Sequence, residues 1–305
     1  MKSQEQERSS AEVNEKRRAA LKRLLTERFK NSDAAQLQER RRRLEVAYET
    51  VRSEFNKVPG FERVRQALLN LTREKPSASS ILLPKLTTVA RRTDLSPTAP
   101  AQIFRMPFDT YSDVQSTNSD PPSQFTLGPI VFGGDPESGF AGQIEAAIEP
   151  GVGGGGRTIL SAALLGTYRP SPSTSHFVFS STFSYAWGVE YQSYLWREAA
   201  AGIEVGVNGY VWDQSGNPIG KGESWQVLVN IDDHSFSEGP NNLSGGNNLT
   251  MVNQVDVDPG KVPDTFTCGL FVTAWADAQP ANPTGASHVR NGFQFFSSEM
   301  DVWEN

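Results

Sequence analysis

The chain of 305 residues has one cysteine, Cys268, and only three histidines and four methionines. A single thiol cannot form an intramolecular disulfide and leaves no thiolate set for a structural zinc site. No run of 18 or more apolar residues occurs, which removes a transmembrane helix of the ordinary kind. The opening MKSQEQERSSAEVNEKRR has no apolar centre of the sort a secretory signal peptide needs. A cytoplasmic location is therefore the default expectation, with non-classical export left open. On that basis Asn70, Asn242 and Asn248, each in an Asn-x-Ser/Thr triplet, read as polar surface.

Glycine and proline are nearly missing from residues 1–75, where Pro59 and Gly60 are the only examples. Charge divides at the same place. Residues 1–75 carry 19 Lys plus Arg and 12 Asp plus Glu, residues 76–305 carry 10 and 23, and the net −6 thus conceals +7 in a head and −13 in a body. The head is rich in Ala, Leu, Arg, Glu, Lys and Gln, the residues that lose least on entering a helix. Val13, Ala20, Leu21, Leu24, Leu25 and Phe29 predict a first helix over about residues 10–29. Asn31, Ser32 and Asp33 offer an N-cap for a second, in which Leu37, Leu44, Val51 and Val58 recur every seven residues with Tyr48 and Phe55 between them. Pro59 and Gly60 break that stripe, and a third helix is expected over residues 61–73. Such a stripe must be buried, against its neighbours, the acidic body or another copy.

Residues 76–120 are rich in Pro, Ser and Thr, with strands expected near 81–89 and 103–108, and residues 112–124 read as an exposed loop. Beyond them β-features dominate. Phe177, Phe179, Phe183, Tyr185, Trp187, Val189 and Tyr191 occupy odd positions with Ser, Thr, Ala and Gly between them, the period-two pattern of a strand with unlike faces. Residues 203–211 and 225–231 repeat it around the turn sequence DQSGNP, which predicts a hairpin. With 125–132, 140–148, 158–168, 249–257, 266–276 and 293–303 this makes about nine strands, although 158–165 also suits a short helix. The expected fold class is α+β by segregation: a basic amphipathic helical segment of two to three helices (1–75), a connector (76–120), and an acidic, mainly antiparallel β-sandwich or jelly roll (121–305).

Signs of catalysis are few. Gly151, Gly153 and Gly156 fit G-x-G-x-x-G only because GVGGGG is poly-glycine; no βαβ unit or acidic residue follows at the required distance. Neither a Walker lysine motif nor G-x-S-x-G occurs. His176, His234 and His288 are scattered, Cys268 sits in an apolar run suited to the core, and nothing selects a carboxylate pair from Glu145, Glu190, Glu204 and Glu223. Asp232 and Asp233 with His234 and Glu238, and Asp256 with Asp258, lie at two strand ends. They are a calcium site if those ends converge and ordinary turn residues if they do not. No other cofactor is expected. Arg40, Arg41, Arg42 and Arg43 invite nucleic acid, but interleaved Glu39, Glu45 and Glu49 make a solvated helix face the simpler reading.

A non-enzymatic binding or assembly protein follows, in which Leu37, Leu44, Tyr48, Val51, Phe55 and Val58 bind another copy or a larger complex. Two alternatives remain. One is a lectin-like, calcium-assisted carbohydrate-binding module using an outward Trp196 or Trp212, since Trp212 lies on the parity opposite to Val207 and Val211. The other is a membrane-active β-protein using strand 177–191.

Overall fold

The computed structural model describes residues 2–30, 53, 57–60, 63, 100–105, 108–116, 124–132, 135–148, 156–193, 198–233, 241–279 and 287–305. Among the described residues, helix α1 (Lys2–Lys30) precedes eleven strands. They are β1 (Gln102–Arg105), β2 (Asp109–Ser116), β3 (Gln124–Phe132), β4 (Asp135–Ile148), β5 (Gly156–Tyr168) and β6 (His176–Ser193). Next come β7 (Glu198–Trp212), β8 (Pro218–Asp233), β9 (Asn241–Asp256), β10 (Thr265–Gln279) and β11 (Ser287–Glu304).

All strand pairs are antiparallel. One sheet runs β3-β4-β11-β6-β9, with β1 also on β11, and the other runs β2-β5-β10-β7-β8. Strands β4 to β11 therefore form two four-stranded runs, β4-β11-β6-β9 and β5-β10-β7-β8, and the chain changes sheet at every connection except the β7–β8 hairpin, which is the winding of a jelly roll. The expected mainly antiparallel sandwich is present. Strand β5 pairs with β10 on one side and β2 on the other, so 158–165 is strand and not helix.

Burial follows the period-two reading and then exceeds it. Phe177, Phe179 and Phe183 of β6 are fully buried, and the Phe177 ring stacks on Phe266 of the opposite sheet at 4.5 Å. The aromatic side of 177–191 is thus core, packed on protein where the membrane-active alternative needs it facing lipid. Ser180, Ser184 and Ala186 on the other parity are buried as well. A strand flanked by β11 and β9 along its whole length has its backbone satisfied on both sides, and small residues there bring no unpaired bulk.

The two sheets close together along one flank and part along it further on. At the closed end β8 and β9 meet: Asp258 N–H donates to Ile219 O at 2.8 Å, and a side chain on Gly222 would lie 2.0 Å from Gln254 O. Only glycine at 222 permits that approach. Toward the start of β9 the inward side chains lose cover, from Val255 at 1% exposure to Leu243 at 46%.

Three expectations change. One helix is described where two to three were expected, and all but residues 53, 57–60 and 63 of the second and third fall outside the described residues. Strand β2 includes residues 112–116, read from sequence as loop, because β5 supplies it with a partner. Strand β9 starts at Asn241, not near 249, because β6 templates its Asn- and Gly-rich first half through backbone pairing that composition does not report.

Candidate functional site

The one place where head and body chemistry meet among the described residues is the outer face of the β2-β5-β10-β7-β8 sheet, on which α1 lies. Residues Val13, Arg17, Leu21, Leu25 and Arg28 recur at helical spacing and share one side of α1. Leu21 and Leu25 are buried against Ala163, Tyr210, Trp212 and Phe271, with Tyr111, Leu165 and Trp225 at the margin. Burying two leucines is worth about 4 kcal/mol before the entropy of fixing the helix.

Charge sets the helix in register. Arg17 pairs with Asp264 at 3.0 Å, Lys22 with Asp113 at 2.7 Å and Arg28 with Glu204 at 3.4 Å. Lys16 Nζ donates to Ser215 O at 2.9 Å in the β7–β8 turn, and a side chain on Gly216 of that turn would meet Val13 O at 3.3 Å. The Arg28 guanidinium also sits 5.1 Å over the Trp225 ring, itself laid flat where Gly206 leaves space. Burial alone would raise the Asp264 carboxyl, but Thr265, Arg169 and Arg17 outweigh it and hold its pKa below the ordinary value. Asp213, which accepts from Ser215 and Asn217 in the turn, is held down in the same way against burial, with Lys16 assisting.

A cavity of about 590 Å³ remains between the first half of α1 and the sheet, bordered by Asn14, Arg17, Arg18, Asp109, Thr167 and Trp212. The Arg17 Nε inside this region is buried without a hydrogen-bond partner.

The residues singled out in sequence are dispersed. The Asp256 carboxylate accepts from His176 Nδ1 at 2.6 Å, and Asp258 opens a turn closed by Lys261 N–H, with Gly260 at φ 78°. Both lie beside the start of β8, at Ile219 and Gly220, whereas Asp232 and Asp233 pair with Ala200 and Ala199 at its far end. Twelve residues of strand separate these ends, about 40 Å. The four aspartates thus do not converge on one ion, and among the described residues no three His, Cys, Asp or Glu side chains form a metal-sized group. Val58 is described and exposed at 52%; Leu37, Leu44, Tyr48, Val51 and Phe55 lie outside the described residues.

Cys268 is buried in the core, and burial pushes its thiol far above the ordinary range, so it stays protonated. Glu204 faces α1, Glu223 accepts from Tyr210 Oη at 3.1 Å, and Glu190 lies in the opposite sheet. Glu223 registers with Asn208, four residues along β7 from Glu204, about 13 Å away. Trp212 points outward from its sheet as its parity required, yet it is 1% exposed because α1 covers it and its indole N–H donates to Thr267. The lectin-like use of Trp212 fails on that cover, and Trp196 lies outside the described residues.

Sequence reasoning missed one feature, the aromatic pair Tyr185 and Trp187 on the inward side of β6 where the sheets part. Both are half-buried, Tyr185 stacks on Phe295 at 6.0 Å, and Trp187 lies over Gly245. Their odd parity was legible; the gap beside them was not.

No family model matches this chain, and no curated protein matches it. Among solved structures it is similar to carbohydrate-binding modules from the β-sandwich superfamily, at 9% identity and TM-score 0.24, covering 63% of this chain and 57% of that one. It is also similar to a carbohydrate-binding module solved with β-1,4-galactotriose, at 11% identity and TM-score 0.17, covering 64% and 88%. A third is the enzymatically active domain of the bacteriophage CBA120 tailspike protein 4, at 12% identity and TM-score 0.17, covering 64% and 19%. The chain thus spans little more than half of the first of these. The architecture stated above rests on strand order alone.

Proposed function

We propose that this chain is a non-catalytic binding and assembly protein. The jelly roll is its folded body, α1 is fixed to that body in cis, and the stripe Leu37, Leu44, Tyr48, Val51, Phe55 and Val58 carries the association with another copy or a larger complex. The observation that supports this reading is the use α1 makes of its apolar side. Leu21 and Leu25 are spent on the chain's own sandwich, so that side of α1 is not available to cover the second stripe, and Val58 at the end of that stripe is exposed.

The test is the absolute mass of the full chain in solution, by light scattering after size exclusion, beside Leu44→Glu/Val51→Glu. A smaller particle with an unchanged β-sheet circular dichroism spectrum is expected, and an unchanged mass overturns the assignment to the stripe. Removing residues 1–75 is the wrong control, because it strips α1 and bares Tyr210, Trp212 and Phe271.

A second reading, carbohydrate binding, is favoured by Tyr185 and Trp187. Flat rings with the exposed Asn247 amide opposite Tyr185 suit the apolar face and hydroxyl edge of a sugar. Glycan-dependent thermal stabilisation that disappears in Trp187→Ala supports it, and no shift across a glycan panel removes it.

A further inference from the structure

We propose that the first half of β9 is a self-pairing edge, on which the β9 strand of a second copy adds in antiparallel sense and joins two sheets into one across a two-fold axis. This goes beyond the helical-stripe reading, since it needs no residue of the head.

The backbone supplies the first argument. Strand β9 pairs with β6 along its whole length on one side. On the other side, β8 occupies the stretch around Gln254 and Asp256, and from 242 to 250 no described strand lies alongside. Side chains of both parities are exposed there, including Asn242, Leu243, Ser244, Asn247 and Asn248. The nine extended residues 242–250 present about 30 Å of strand edge on that side.

The second argument is what the other edges carry. Strand β2 has Asp109 and Asp113, with Lys22 of α1 drawn onto the latter. Strand β8 begins at Pro218, holds Lys221 and Glu223, and has a register irregularity opposite Ile203 and Glu204. Strand β3 contains Pro129. Each is a known way to stop edge-to-edge pairing. Residues 241–255 contain no charge and no proline.

The third argument selects the occupant. A neutral strand can face its own copy with no like charges opposed, and a two-fold pair closes on itself instead of growing. An axis through Gly246 sets Leu243 opposite Leu249 and Ser244 opposite Asn248. Leu243, 46% exposed in the single chain, then gains an apolar partner on the same face of the joined sheet.

The experiment uses the full chain in the Leu44→Glu/Val51→Glu background, so that association by the head is already removed. A dimer that persists across a dilution series is expected, and its dissociation constant should rise at least tenfold with Ser244→Lys/Asn247→Lys, two exposed positions that leave folding intact. Ser244→Cys/Asn248→Cys should yield a covalent dimer on mild oxidation, with the buried Cys268 taking no part. A chain that is monomeric throughout the series, a dimer indifferent to the two lysines, or a cysteine pair that fails to cross-link each overturns the proposal. Loss of mass only in the Leu44→Glu/Val51→Glu step supports the stripe and sinks the edge; persistence through that step does the reverse.

Discussion

Two flanks of the same sandwich meet opposite fates. The outer face of β2-β5-β10-β7-β8 exposes aromatic bulk and acidic groups, and the chain's own basic helix covers both. The β9 edge has no charge in its first half, and no described strand lies along its outer side. The contrast shows how a chain partitions its surfaces: an apolar face ringed by one sign of charge recruits the complementary segment of the same polypeptide, where effective concentration is high, while a neutral backbone edge offers no charge to steer such a segment.

The covered flank is the easier to break. Leu21→Glu/Leu25→Glu places two carboxylates against Tyr210, Trp212 and Phe271, and should remove about 4 kcal/mol of docking free energy. Limited proteolysis should then release the head, with dye binding to the uncovered rings; a resistant head would show that the ion pairs alone suffice. Gly206→Ala is next. Its methyl group would lie 2.6 Å from the Trp225 ring, which must tilt and take Arg28 with it, at a cost of about 1–3 kcal/mol read by chemical denaturation.

Asp264→Asn should cost about 1–2 kcal/mol, because one partly buried carboxylate serves both Arg17 and Arg169. The same group makes docking acid-sensitive. Its folded-state pKa is depressed, so its contribution is complete above the ordinary carboxylate range and fades as pH falls through it toward the folded value. Protease sensitivity of the head should rise below about pH 4 and not between about pH 6 and 8. Lys22→Ala closes the series at under about 1 kcal/mol, since its side chain is 55% exposed and solvent screens the pair. Against these, Ser244→Lys/Asn247→Lys on the bare flank should leave the melting temperature within about a degree and change only the mass.

The strands were legible where packing writes itself into side-chain type. The odd-position aromatics of 177–191 and the DQSGNP turn at 213–218 announce β6 and the β7–β8 hairpin, and Gly216 at φ 75° closes that turn. They were illegible where a neighbour imposes them. Residues 241–248 carry turn and loop types and become strand only because β6 offers a ladder. Residues 112–116 depend likewise on β5.

The candidate site divides in the same way. The parity of Trp212 was readable, its cover was not, because Leu21 and Leu25 lie nearly two hundred residues away in sequence. Asp232, Asp233, Asp256 and Asp258 looked alike as strand-end aspartates, and only the meeting of the end of β9 with the start of β8 puts one pair at each end of a long strand.

The sequence by itself determined the basic N-terminal segment and its first helix, the acidic β-rich remainder, the alternation that builds the core, and the scarcity of soft and imidazole groups, since each follows from local composition and period. The tertiary structure alone decided that α1 is spent in cis, that the aspartates stand apart, and that among the described strands only β6 pairs with the first half of β9. Those outcomes depend on strand order and register, which arise from competition among distant segments and leave no mark on any one of them.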